Sequence, residues 1–239
     1  MSRKFRIDRD CYDTGAPLFK TRAMTFQPGI TILLGCNGCG KTTLMRQMKS
    51  QIEHRFKLPF VEYDNYSAGG HQSVQAAAFY GNMDFVINSF LSSEGEGIVL
   101  NLQQIASKMG AMFKKYPDAK EYWVFLDGID SGLSLDAIQD LKHGLFDTVY
   151  EHYPDKDIYI IISANSFELT KHGMCFNTIT GKYMNIKSYD RYTKLVLQTR
   201  EYKDARDKLA AETAKKRETE ETVECDTNDD DAWNKRKKR

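Results

Sequence analysis

Eight consecutive residues, Gly35-Cys36-Asn37-Gly38-Cys39-Gly40-Lys41-Thr42, satisfy the phosphate-loop pattern G-x-x-x-x-G-K-T in full, with Thr43 directly after it. The chemistry such a run performs is polyanion binding. Its glycines let the backbone curl until successive N–H groups, together with the N-terminus of a following helix, face β- and γ-phosphate oxygens. Lys41 adds a positive charge there, and the Thr42 hydroxyl suits a Mg²⁺ ion that bridges the same oxygens. A second candidate is Asp127, which ends the apolar run Tyr122-Trp123-Val124-Phe125-Leu126 and has the position of a carboxylate that holds Mg²⁺ from a neighbouring strand. Thr42 and Asp127 are therefore the candidate metal ligands, and the expected cofactors are ATP and Mg²⁺. Cys36 and Cys39 form a C-x-x-C pair, but both fall on variable positions of the loop. No second C-x-x-C or His pair completes a zinc site, so a metal or redox role is disfavoured, although oxidation of the pair would obstruct the loop.

These residues need particular elements to position them. The apolar run Ile30 to Leu34 reads as a buried strand entering the loop, and Thr42 to Phe56, with Leu44, Met45, Met48 and Ile52 at helical spacing, reads as the helix leaving it. Phe5 to Ile7 and Phe19 to Phe26 read as strand-like segments around the turn-rich Asp13-Thr14-Gly15-Ala16-Pro17. Phe60 to Tyr63 predicts a strand, Asp64 to Ser73 a loop followed by a helical piece through Leu91, and Ser92 to Gly97 a second polar loop. Helical periodicity over Ile98 to Tyr116 stops at Pro117-Asp118, the strand Tyr122 to Leu126 follows, and a helix over Leu135 to Tyr153 leads to the strand Ile158 to Ile162. Alternating strands and helices imply an α/β fold with a mainly parallel, mixed sheet. Cys175 to Ile186 resembles a hairpin turning at Thr180-Gly181, and Tyr189 to Lys216 a long charged helix. The acid-rich stretch 218–231 and the closing run Lys235 to Arg239 read as a disordered, solvated tail.

Composition narrows the setting. The chain has 239 residues, enough to bury one sizeable core, and 41% hydrophobic against 28% charged residues, which is ordinary for a globular protein. A net charge of +1 provides no global field toward nucleic acid or an anionic membrane. The longest apolar runs are strand-sized, well below the roughly 18 residues of a membrane-spanning helix, and the basic start Met1 to Lys4 precedes no apolar stretch. Five scattered cysteines argue against a disulfide framework. The expectation is a cytoplasmic protein without a membrane anchor.

Residues 126–134, Leu-Asp-Gly-Ile-Asp-Ser-Gly-Leu-Ser, resemble the Walker B and D-loop run of ATP-binding-cassette (ABC) ATPases, with Asp130 to Ser134 matching the D-loop. Ser92-Ser93-Glu94-Gly95-Glu96 is similar to that family's signature loop and lies between the two Walker motifs, although Ser93 with Glu96 would equally make a capping box. The resemblance covers about residues 1 to 187 and implies a P-loop ATPase fold with a short helical subdomain. It also implies an ATP-dependent homodimer, in which Ser93 and Gly95 of one copy face the γ-phosphate held by the other. It implies an upstream aromatic that stacks on adenine, for which Tyr12 competes with Phe5 and Phe19. Asp64, Asn65 and Gln72 are alternatives for the residue that senses Mg²⁺ and the attacking water. Ala164 takes the place of the family's switch histidine, with Asn165 its nearest polar substitute.

Gly128 stands where the family usually carries the glutamate that polarises water. Since positioned general-base catalysis contributes roughly 10²- to 10⁴-fold, hydrolysis is expected to be slow unless Asp130 or another acid substitutes. Lys41, Asp127 and Asp130 are thus the candidate catalytic residues. With 52 positions from Lys41 to Ser93, there is no room for long coiled-coil arms, and small stand-alone cassette ATPases of bacteriophages and bacteria, loosely grouped with AAA-family proteins, look most similar. Two readings of function follow: a soluble ATPase whose nucleotide-sandwich dimer is controlled by ATP, or a non-hydrolysing, ATP-gated binding module read by a protein partner. Association with nucleic acid through the terminal Lys/Arg run is a further alternative, against which stands the acidic stretch before it.

Overall fold

Three strands with almost no polar residue along their length form the middle of the molecule, and their side chains alternate between two cores. The computed structural model describes residues 2–64, 94–129, 138–139 and 141–236. In chain order its elements begin with strands β1 (Arg3–Arg6), β2 (Ala23–Phe26) and β3 (Gly29–Leu34), then helix α1 (Lys41–Gln51), continued by a π-helical turn (Ile52–Phe56), and β4 (Phe60–Asp64). Helix α2 (Glu94–Lys115), β5 (Glu121–Asp127), a second π-helical turn (Leu141–Asp147), α3 (Thr148–His152) and β6 (Asp157–Ser163) follow. A 3₁₀ turn (Glu168–Lys171), the hairpin strands β7 (Met174–Asn177) and β8 (Lys182–Met184), and helix α4 (Tyr189–Arg236) complete the order.

The six-stranded sheet runs β4-β5-β6-β3-β7-β8, parallel throughout except for the final hairpin pair, while β1 and β2 form a small antiparallel sheet of their own. On one face Tyr122, Val124 and Leu126 of β5 join Ile158, Ile160 and Ile162 of β6, covered by Met109, Met112 and Phe113 of α2. On the other, Trp123, Phe125, Tyr159 and Ile161 meet Leu44, Met45 and Met48 of α1, with Phe5 and Phe26 of the small sheet. Strands covered on both faces carry continuous apolar runs rather than alternating ones, which is why β5 and β6 are so legible in the sequence. The architecture is the α/β, mixed-sheet class that the alternation of elements implies.

Several boundaries differ from the sequence reading. The loop expected over Ser92 to Gly97 gives way to helix by Glu94. Of the helix expected over Leu135 to Tyr153, the stretch 141–147 winds as a π-helical turn before α3. The backbone of α4 continues helical to Arg236, past the end expected at Lys216, because a charged composition without proline or glycine leaves helix propensity unopposed. The helical piece expected through Leu91, and with it most of the helical subdomain, lies outside the described residues.

Candidate functional site

The phosphate-loop run sits where β3 ends and α1 begins. Leu33 on β3 pairs with Ser163 on β6, and Ser163 in turn pairs with Asp127 on β5, so one strand intervenes between the loop and the acid. This register brings the carboxyl ends of three strands to one edge, where ligands of open parallel sheets bind. A cavity of about 460 Å³ opens there, lined by Asn37, Gly38, Gly40, Lys41, Thr42, Thr43 and Asp127 together with Tyr12 and Asn165.

The loop's backbone explains its glycines. Gly38 has φ +75° and Gly40 φ +104°, the left-handed region, and a Cβ on Gly40 would lie 2.9 Å from Leu18 Cδ2 and 3.0 Å from Phe19 Cε1. The first turn of α1 therefore presses directly onto the segment before β2. Lys41 is buried at 7% exposure and donates through Nζ to the carbonyls of Gly35 (2.8 Å) and Cys36 (3.3 Å) and to Asn165 Oδ1 (3.1 Å). A buried ammonium aimed across the curled loop is a cradle for an anion, and the Thr42 hydroxyl and Asp127 carboxylate on the same cavity are oxygen donors of the kind Mg²⁺ takes. Among the described residues no group of three or more His, Cys, Asp or Glu converges on a metal position, and this pair would leave the remaining positions to phosphate and water oxygens.

Of the three aromatics weighed for an adenine contact, Phe5 and Phe19 are fully buried, whereas Tyr12 is 61% exposed on the cavity and its hydroxyl hydrogen-bonds Thr43 Oγ1 at 3.0 Å. Asn165 reaches the site that Ala164, buried in the core, does not; its backbone carbonyl also accepts a hydrogen bond from the Tyr192 hydroxyl of α4. Cys36 and Cys39 are buried against Ile179, and burial pushes the Cys39 thiol above its ordinary value, which makes it a poor nucleophile. Ser93, Asn65, Gln72, Asp130 and the D-loop residues through Ser134 lie outside the described residues. Gly95 falls within the first turn of α2 rather than before it.

Gly128 has φ +64° and donates its N–H to the Ser163 carbonyl at 3.3 Å. The backbone there is left-handed and favours glycine over any residue with a side chain. Gly128→Glu is expected to lower unfolding free energy by about 1–2 kcal/mol, measured by urea titration. A change within about 0.3 kcal/mol would show that the turn accommodates a side chain without strain.

Some lining residues carry no motif. Asp10 accepts hydrogen bonds from Thr14 N (3.1 Å), Thr14 Oγ1 (2.9 Å) and Gly15 N (2.7 Å), folding the Tyr12 loop around it. Burial alone would raise its carboxyl, but those bonds and the charge of Arg217 outweigh it and hold the group below the ordinary carboxylate value. Arg206, Asp207 and Ala210 also line the cavity, from a helix that the sequence marks only as charged.

No family model matches the chain, and no curated protein matches it. Among solved structures, the chain is similar to cbiO1 from Clostridium perfringens, part of the ABC transporter complex cbiONQ, at 16% identity and a TM-score of 0.45. That alignment covers 76% of this chain and 86% of cbiO1. Independently of that likeness, the strand order, the glycine-rich turn between β3 and α1 and the buried Lys41 define an α/β protein built around a phosphate loop.

Proposed function

We propose that this chain binds ATP with Mg²⁺ in the cavity at the carboxyl edge of the sheet and is a slow ATPase. The observation that carries the reading is the convergence of Lys41, Thr42 and Asp127 on one cavity under a loop whose glycines hold left-handed backbone. Residues 35–43 hold the phosphates, Thr42 and Asp127 hold Mg²⁺, and Tyr12 offers its exposed ring to adenine. The bound Mg²⁺ supplies charge neutralisation on the phosphates when present. Lys41 exchanges its carbonyl acceptors for phosphate oxygens, and Asp130 is the acid next in line to orient water. Two copies sandwich two nucleotides, with Ser93 and Gly95 of each facing the other's ATP. Among the described residues no helix is long and apolar enough to cross a membrane, and a cytoplasmic setting belongs to the proposal.

A second reading, a non-hydrolysing ATP-gated module, is favoured by two observations. Gly128 supplies no base, and Asn165, which engages Lys41, is an amide that does not take up a proton near neutral pH. Size-exclusion chromatography with light scattering, with and without Mg-ATP, run beside a phosphate-release assay, separates the two. The first reading expects the 27.5 kDa chain to double in mass with Mg-ATP and to release phosphate above a Lys41→Ala control. Doubling without release supports the module. Unchanged mass with no release removes the dimer and the catalysis together.

A further inference from the structure

We infer that helix α4 forms a wall of the nucleotide cavity within the same chain and that Arg206 contacts the polyphosphate there, an inference that rests on the ATP reading of the cavity. The helix looks like a solvated charged rod, yet one of its stripes is spent on the site. Thr199, Lys203, Arg206, Ala210, Thr213 and Arg217 recur at alternating spacings of four and three, the interval at which helical side chains share a face. Each of them meets one of the two loops that frame the cavity, or the cavity itself.

The contacts run in order from the phosphate end to the Tyr12 end. Thr199 Oγ1 accepts the Cys36 N–H of the phosphate loop at 2.9 Å. Lys203 crosses Gly38 so closely that a Cβ there would stand 2.9 Å from Lys203 Cε. Arg206 and Ala210 line the cavity. Thr213 approaches Gly15, where a Cβ would lie 3.0 Å from Thr213 Cγ2, and Arg217 donates to the Asp13 carbonyl at 2.8 Å. The Tyr202 hydroxyl, beside the stripe, donates to the Pro17 carbonyl at 2.9 Å. Gly38 and Gly15 thus each give the helix room to lie flat.

Arg206 is the residue this arrangement prepares. Its side chain is 16% exposed, while Arg200, Asp204 and Lys208 of the same helix point to solvent. Nε and Nη2 both donate to Asp207 Oδ1, at 3.0 and 2.6 Å, and Lys203 Nζ stands 3.2 Å from the other oxygen of that carboxylate. One carboxylate fixes two cations, so the trio carries one net positive charge at the cavity. Among the described residues, Arg206 Nη1 makes no hydrogen bond. A guanidinium locked along one edge and open along the other presents planar donors suited to phosphate oxygens.

The test measures binding of an ATP analogue carrying a fluorescent methylanthraniloyl group to the full chain and to Arg206→Ala, Ala210→Trp and Lys41→Ala, in the presence of Mg²⁺. Arg206→Ala is expected to weaken binding about tenfold to a hundredfold, the loss of a charge-assisted hydrogen bond. Ala210→Trp, which changes no charge, is expected to weaken it by filling the cavity from the helix side. Binding by Arg206→Ala within twofold of the unaltered chain overturns the role of Arg206, and the same result for Ala210→Trp shows that α4 leaves the cavity when nucleotide enters. Where circular dichroism shows Arg206→Ala misfolded, Arg206→Gln, which keeps the stem without the charge, decides by the same twofold criterion. If the unaltered chain binds no better than Lys41→Ala, the ATP reading itself fails and takes the inference with it. If the unaltered chain binds and the two α4 variants match it, the inference alone fails.

Discussion

Lys41→Ala is expected to weaken ATP binding by about tenfold to a hundredfold and to reduce phosphate release to the no-protein background. The ammonium is the cation set deepest in the cavity edge, 7% exposed and fixed by the Gly35 and Cys36 carbonyls and Asn165 Oδ1. A phosphate that takes over those contacts gains a charge-assisted bond in a niche where water screens little. Lys41→Arg is no substitute, because a branched guanidinium does not fit a niche shaped for three acceptors around one nitrogen. Titration with the methylanthraniloyl analogue and a colorimetric phosphate assay give the two readouts. A Lys41→Ala chain that binds within twofold of the original would remove the loop from any account of nucleotide binding.

The second large effect concerns stability. Trp123→Ala is expected to lower unfolding free energy by about 3–5 kcal/mol, which at roughly 2–4 °C per kcal/mol is a fall in Tm of about 6–20 °C. Trp123 lies on β5 four residues before Asp127, fully buried. Its ring stacks on Tyr159 with centroids 4.0 Å apart and planes 7° from parallel, and meets Phe5 edge-on at 5.2 Å. Its indole N–H donates to Glu121 Oε1 at 2.8 Å, the same carboxylate that Arg3 engages. Truncation therefore leaves a cavity between the central sheet and the small N-terminal sheet and deletes one donor to a nearly buried carboxylate. Trp123→Phe keeps most of the ring contact but not the N–H, and is expected to lose about 1–2 kcal/mol. Differential scanning calorimetry resolves the two substitutions. Equal losses would assign the whole effect to the hydrogen bond, and a loss under about 1 kcal/mol for Trp123→Ala would mean that the two layers close over the gap.

The two effects are connected through β5. The strand that carries Asp127 to the cavity edge is held on one face by Trp123 and Phe125 and on the other by Tyr122, Val124 and Leu126. Small shifts of a strand packed on both faces propagate along it, since close-packed interiors transmit strain. Trp123→Ala is thus expected to blunt the Mg²⁺ dependence of nucleotide binding as well as stability.

Residue order alone determined the strand, loop and helix around positions 30–56, because apolar periodicity and a glycine pattern are local signals that survive without tertiary context. It also determined the buried strands ending at Leu126 and Ile162, whose apolar runs are long enough to exclude a surface role. Other features were decided by the tertiary structure. Packing separated Tyr12 from Phe5 and Phe19, since the sequence shows three aromatics and only burial distinguishes a core ring from an exposed one. Register set Asn165 rather than Ala164 toward Lys41, because adjacent residues beyond a strand end point to different sides. Above all, α4 returns across the phosphate loop through contacts between positions 163 to 204 residues apart. The start of the helix carries a short apolar stripe, Tyr192, Leu195, Val196 and Tyr202, that packs on the hydrophobic clusters, but from Lys203 onward the contacts join charged groups, hydroxyls, glycines and backbone carbonyls and leave no apolar stripe to read. A polar face that packs on backbone has the same composition as one that faces water, and the difference exists only once the chain has folded.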